Sequence, residues 1–249
     1  MNAPDPGSSV LAASSRFNTT HWSVVLQAGR EVSPHSSAAL EKLCRAYWYP
    51  LYAFIRRKGF GEADAQDLTQ QFFARLLERR DFASVDPRKG KFRTFLLASL
   101  SHFLSNERDR ARAAKRGGGQ TPIPLDGLQP EERYRLEPVN DSSPDKLYEV
   151  RWALTVLEQA LSRLRQEMAD AGKSVQFDQL KAYLVEDPGA GDYAAAAERL
   201  GGSRQSVAVT VHRLRQRYRE IVRAEVAQTV TTPLELEEEL RHLYSVLNP

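Results

Sequence analysis

Apolar residues recur at three- and four-residue intervals along most of this chain, and no stretch keeps a two-residue alternation for long. That pattern predicts an all-α protein. Leu40, Leu43 and Tyr47, then Leu51, Phe54 and Ile55, keep helical spacing within Ser36–Lys58. Pro50 lies between the two sets and predicts a kink or two helices, because proline lacks a donor and disfavours helix in the residue before it. Ala65, Leu68, Phe72 and Leu76 form one stripe of a helix over Ala63–Arg79, while Asp64, Asp67, Gln71 and Arg75 share another face. A helix over Lys91 to about Ala114 turns Phe92, Phe95, Leu96, Ser99, Leu100 and Phe103 inward. Further helices are expected over Asp145–Ala171 and Phe177–Val185. Next comes a short alanine-rich helix over Asp192–Leu200, then a longer one capped by Ser203. Near the end, Thr232-Pro233-Leu234-Glu235 is a capping-box pattern with proline at the first helical position. Leu236, Leu240, Leu243 and Leu247 follow at helical spacing, opposite Glu235, Glu238 and Glu239.

The polar stretches divide the chain. Residues 1–16 are small, polar and proline-containing, which predicts disorder, and Thr20 is placed to cap a short helix within Phe17–Gly29. Residues 117–144 carry a triple glycine, five prolines and no period, the composition of a linker. The expected organisation is therefore a helical domain at 17–116, a linker at 117–144, a second helical domain at 145–228 and a C-terminal amphipathic helix at 229–249.

Charge sharpens this division. The formal net charge is only +3, but Leu40–Arg116 holds 17 Lys and Arg against 9 Asp and Glu, and Gly117–Asp145 holds 6 acids against 2 Arg. Arg204–Arg219 holds five Arg and no acid. Basic blocks between acidic spacers fit nucleic acid better than a membrane. No apolar run approaches a membrane span and the N-terminus does not read as a signal peptide, so a cytoplasmic protein without membrane contact is expected.

Chemistry-bearing patterns are few. Cys44 is the sole cysteine, and its neighbours Leu43 and Tyr47-Trp48-Tyr49 point to a buried, unreactive thiol. The five histidines lack metal-ligand spacing, and neither a phosphate loop nor a nucleophile elbow is present, so no catalytic set, metal or cofactor is expected. Thr69 shares a helix face with Ala65, Phe72 and Phe73, which places it inside and not at a modification site. The two short-turned helices around Gly201-Gly202 have the form of a helix-turn-helix. Val207, Val211, Leu214 and Tyr218 make the inner stripe of its second helix, with Arg204, Gln205, Ala208, His212 and Arg215 on the other side. Arg and Gln near the start of that helix suit base edges, and Arg213, Arg215 and Arg217 suit phosphates.

Taken together, the chain resembles an extracytoplasmic-function sigma factor of the sigma-70 family. The resemblance rests on DAQDLTQQFFARLL and GKFRTFLLASLSHFL within Leu40–Arg116 and, less tightly, on Asp145 to about Val226. It implies a non-enzymatic initiation factor whose partners are core RNA polymerase and promoter DNA, with an anti-sigma factor or another regulator as a further partner. It places Asp64, Asp67, Gln70, Gln71 and Arg75 against the polymerase. The loop Arg79–Lys91 and the following helix would meet the unwound minus-ten element, through Arg88, Lys89, Lys91, Arg93, His102, Asn106, Arg108, Arg110 and Arg112. Ser203, Arg204, Gln205, Ser206, His212, Arg213, Arg215 and Arg217 would meet the minus-thirty-five element. The chain departs from the family with Gln66 and Gln71 where acids are usual, Phe95 for Trp, His102 for Asn, and Ser206-Val207-Ala208-Val209 for Thr-Val-Lys-Ser. A free-standing helix-turn-helix regulator is the alternative reading. The acidic C-terminal helix has two: it completes the C-terminal domain, or it docks on a basic DNA-binding face and restrains it.

Overall fold

The computed structural model describes residues 21, 34–79, 91–113, 130–137, 143–185 and 190–248. Every regular element among them is helical: α1 Pro34–Arg57, α2 Glu62–Arg79, α3 Phe92–Ala113, α4 Pro130–Arg135, α5 Pro144–Asp170, α6 Ser174–Leu180, a 3₁₀ turn Lys181–Leu184, α7 Ala190–Leu200, α8 Arg204–Ala227 and α9 Pro233–Leu247. None of these helices is long and apolar enough to cross a membrane. The chain forms two compact units, residues 1–155 with 227–249, and residues 156–226. The expected disorder at 1–16 and the helix at 17–29 lie outside the described residues, His21 apart.

In the first unit the core is aromatic. Tyr47, Leu51, Tyr52, Phe54 and Ile55 of α1 are all buried. The helix runs through Pro50 without dividing, so of the two expected outcomes, a kink or two helices, the division into two does not occur. Apolar burial on both sides of the proline offsets the missing bond, since one hydrogen bond contributes only about 1 kcal/mol net and a buried large side chain about 1.5–3. The helix stops where Gly59 adopts a left-handed φ of 92°. Tyr47 meets Phe92 edge to face at 5.0 Å, joining α1 to α3, and Phe72 packs on Phe103 at 5.8 Å, joining α2 to α3. Thr69 is fully buried and its hydroxyl donates to Ala65 O at 2.6 Å. Cys44 is buried too, and desolvation, with Glu41 nearby, pushes its thiol up to about 12.

Two segments expected elsewhere belong to this unit. Within the predicted linker, Glu131 of α4 accepts from Tyr52 Oη at 2.7 Å and pairs with Arg56 at 2.8 Å, while Glu137 accepts from Tyr49 Oη at 2.7 Å and pairs with Arg151. Bonds to Arg56 and Tyr52 hold the Glu131 carboxyl below the ordinary carboxylate range, against the opposing effect of its burial. The C-terminal helix completes this first unit, and not a C-terminal domain: Phe92 N donates to Thr229 O at 3.2 Å, and Leu236 and Leu243 of α9 are buried. Thr232 and Glu235 form the predicted capping box.

The second unit packs Leu164 of α5, Phe177 and Leu180 of α6, Ala196 and Ala197 of α7, and Val207, Val211 and Leu214 of α8 into one small core. Helix α7 ends with Gly201 at φ 65°. There Gly202 N donates to Ala197 O at 3.0 Å and Gly201 N to Glu198 O at 3.3 Å. This is a Schellman cap, which needs a left-handed residue and so favours glycine. Three residues separate α7 from α8.

Candidate nucleic-acid interface

Helix α8 begins on a pair of serines. Ser206 N donates to Ser203 Oγ at 3.1 Å, Ser203 N donates to Ser206 Oγ at 3.2 Å, and Ser206 Oγ donates to Ser203 O at 2.7 Å. These reciprocal bonds satisfy donors that a helix start leaves open. Both serines, expected at DNA, therefore already hold the helix start in place. Beyond them, Arg204, Gln205, Val209, His212, Arg213 and Arg219 are exposed. None of the polar members of this set has a hydrogen-bond or ion-pair partner among the described residues. Gln205, Val209 and His212 follow one another at four- and three-residue steps on the face opposite Val207, Val211 and Leu214.

Two further arginines of α8 are engaged within the unit, in contrast to the phosphate contacts expected of them. Arg215 Nε donates to Tyr183 O at 2.7 Å, which ties α8 to the 3₁₀ turn. Arg217 makes a two-pronged bond to Glu167 of α5 at 2.8 and 2.9 Å and a third to Glu220 at 2.9 Å. Its carboxylate partners hold Arg217 above the ordinary arginine value, and Arg217 in turn holds Glu167 below the ordinary carboxylate range. Sequence reasoning passed over Arg219 and Val209. Both lie on the outer face at helical steps from His212, and that spacing was the signal.

On α3 the picture differs. Arg93 was expected at DNA phosphates, but it is only 8% exposed. Its guanidinium bonds both oxygens of Glu239 at 3.1 Å, bonds Glu149, and lies 4.9 Å from the Trp152 ring. Burial disfavours this cation, but the Glu239 and Glu149 carboxylates outweigh that and raise its pKa. Glu239, expected opposite the leucines of α9, has zero exposure; burial opposes its charge, and Arg93 with Lys91 still hold its pKa down. Lys91 pairs with Glu239 at 3.0 Å and Glu238 at 3.2 Å. His242 of α9 bonds Glu149 at 2.9 Å and closes the group. Neither Lys91 nor Arg93 is therefore an unengaged cation.

The remaining minus-ten residues are distributed along α3. His102 and Asn106 are exposed one turn apart. Arg108 is exposed on another flank with its guanidinium 5.1 Å from the Phe60 ring. It lines a cleft of about 270 Å³ with Phe54, Lys58, Ser101, Leu104, Ser105 and Asp109, so Lys58 joins this surface although the sequence did not single it out. Arg88 and Lys89 lie outside the described residues, as do the side chains of Arg110 and Arg112. Phe92 and Phe103 are buried and Phe95 is half-buried.

The stripe expected to face a protein partner lies along α2. Asp64 and Gln71 are exposed, and Asp67, Gln70 and Arg75 are half-buried. Arg75 pairs with Glu107 at 3.5 Å and lies 5.8 Å from the Phe103 ring, so it also braces α2 against α3. Among the described residues no group of three His, Cys, Asp or Glu is placed to hold a metal ion. Comparisons with protein-family models, curated proteins and solved structures return no match.

Proposed function

We propose that the chain is a DNA-binding transcription factor whose α7-turn-α8 segment is a helix-turn-helix, with α8 entering the major groove. Within that class, we read it as a sigma factor that directs core RNA polymerase to promoters. The observation that carries the reading is the outer face of α8. Arg204, Gln205, His212, Arg213 and Arg219 stand exposed with no acid from Arg204 to Arg219. In such a helix Gln205, in the first turn, suits base edges, and Arg204, Arg213 and Arg219 suit phosphates. The resemblance in α2 and α3 supports the polymerase part, with Asp64, Asp67, Gln70 and Gln71 on a surface a repressor would not need.

A factor of this kind performs no covalent chemistry. It binds opened DNA better than closed DNA, and the difference in binding free energy drives melting. Holding one unpaired base contributes roughly 1–3 kcal/mol, comparable with the few kcal/mol needed to unstack it. Since Phe92 and Phe103 are buried, the contacts we assign among the described residues are His102, Asn106 and Arg108 of α3, with Lys58 just beyond the end of α1. The test is reconstitution with core RNA polymerase and start-site mapping on promoter DNA. Start-site-specific transcription that requires this chain supports the reading; failure to bind core overturns it.

The engagement of Lys91 and Arg93 by Glu149, Glu238 and Glu239 favours a second reading. With those two cations occupied, the protein would be a free-standing helix-turn-helix regulator of duplex DNA. Retained duplex binding without core binding selects it.

A further inference from the structure

Val209 is 45% exposed on a helix whose other apolar residues mostly face inward. Exposed apolar residues are ordinary singly; what distinguishes this one is its company. Gln205 lies one turn before it and His212 one turn after it, all on the outer face, with Arg204, Arg213 and Arg219 around them and no acid before Glu220. Val209 leaves nearly half of its surface open at this position. Its two methyl groups are presented among side chains that donate and accept hydrogen bonds.

We propose that Gln205 and Val209 read neighbouring A·T pairs of the DNA duplex, Gln205 at an adenine edge and Val209 at a thymine methyl. The inference rests on the reading of α8 as a helix that enters the major groove. A primary amide matches adenine in both directions: its carbonyl accepts from N6–H and its NH₂ donates to N7. An aliphatic side chain has no such match with guanine or cytosine, whose groove edges would lose water without a partner, but it packs on the C5 methyl of thymine. Four residues rise about 6 Å along a helix, under two base steps of about 3.4 Å. The two contacts therefore fall one or two base pairs apart. Arg204, Arg213 and Arg219 supply the phosphate contacts that set the register and carry no sequence information.

The test uses the full chain, alone and with core RNA polymerase, and a randomised duplex library. The selected motif is expected to hold an adenine and a thymine at adjacent or next-but-one positions. Replacing that thymine by deoxyuridine removes only the methyl and is expected to weaken wild-type binding about fourfold, the effect of one buried methyl group. Val209→Ala is expected to leave thermal stability unchanged, because the side chain is exposed, and to make binding indifferent to the deoxyuridine. Gln205→Ala is expected to lose roughly tenfold of the preference for adenine. A deoxyuridine penalty of the same size in Val209→Ala, or a motif with no thymine at an adjacent or next-but-one position to the adenine, overturns the proposal and leaves the helix-turn-helix reading standing. If no duplex is enriched under either condition, that reading falls with it.

Discussion

Two helix starts in this protein carry basic residues, and they differ in what surrounds them. At the start of α3, Lys91 and Arg93 sit among Glu149, Glu238 and Glu239, and Arg93 is buried against Trp152. Over the first three turns of α8, Arg204, Gln205, His212 and Arg213 stand exposed without partners among the described residues. Counting positive residues along the chain does not separate them. What separates them is whether acids distant in sequence return to neutralise the charge, as Glu149 and Glu239 do for Arg93 across 56 and 146 residues. One basic cluster therefore holds the fold together, and the other is the one we propose meets DNA.

The largest effect is expected at the buried cluster. Glu239→Ala leaves Arg93 buried with much of its counter-charge gone and is expected to destabilise the first unit by about 3–5 kcal/mol, measured by urea unfolding. Combining Arg93→Met with Glu239→Leu is expected to cost clearly less than Glu239→Ala alone, because an apolar pair needs no compensation. An equal or larger loss in the double variant would show that the cluster is not a coupled charge pair.

Acid should act on the same contacts. Their cationic partners hold the carboxyls of Glu239, Glu131 and Glu167 below the ordinary carboxylate range. A depressed carboxylate contributes stability that is fully present above its unfolded value and lost as pH falls through its folded value. Stability is thus expected to be flat near neutrality from these groups and to decline below about pH 4.5. Glu239→Gln should flatten part of that decline, which acid titration of the unfolding free energy would check.

Smaller effects are expected at the local devices that aim the two surfaces. Gly201→Ala meets no neighbouring atom but must hold φ at 65°, and is expected to cost about 1–2 kcal/mol. Thr232→Ala removes the cap of α9 and is expected to cost about 1 kcal/mol. Thermal or urea denaturation reads both.

Those local devices are also what the sequence made legible. The Thr232 capping box, the Ser203 cap, the glycine turn after Leu200, the burial of Thr69 and the all-helical character depend on residues a few positions apart, and spacing reveals them. The continuity of α1 through Pro50 was not legible, because aromatic packing on both sides decides it and not the proline. Glu239 lies three residues after Leu236 and four before Leu243, on the flank of the apolar stripe, so helical spacing alone pointed it inward. Its partners Arg93 and Lys91, distant in sequence, were not legible. Glu131 and Glu137 lay in a segment with linker composition, yet Arg56, Tyr52, Tyr49 and Arg151 fasten them. The split among the α8 arginines was hidden for the same reason: Glu167 is 50 residues from Arg217.

The contrast between the two helix starts is tested most directly by the salt dependence of duplex DNA binding. The slope of log K against log salt counts the phosphates neutralised, at about 0.9 per contact. The Arg204→Ala, Arg213→Ala double variant is expected to lower the magnitude of that slope by about 1.8, while Lys91→Ala leaves it unchanged. An unchanged slope in the double variant, or a fall in Lys91→Ala, would contradict the account.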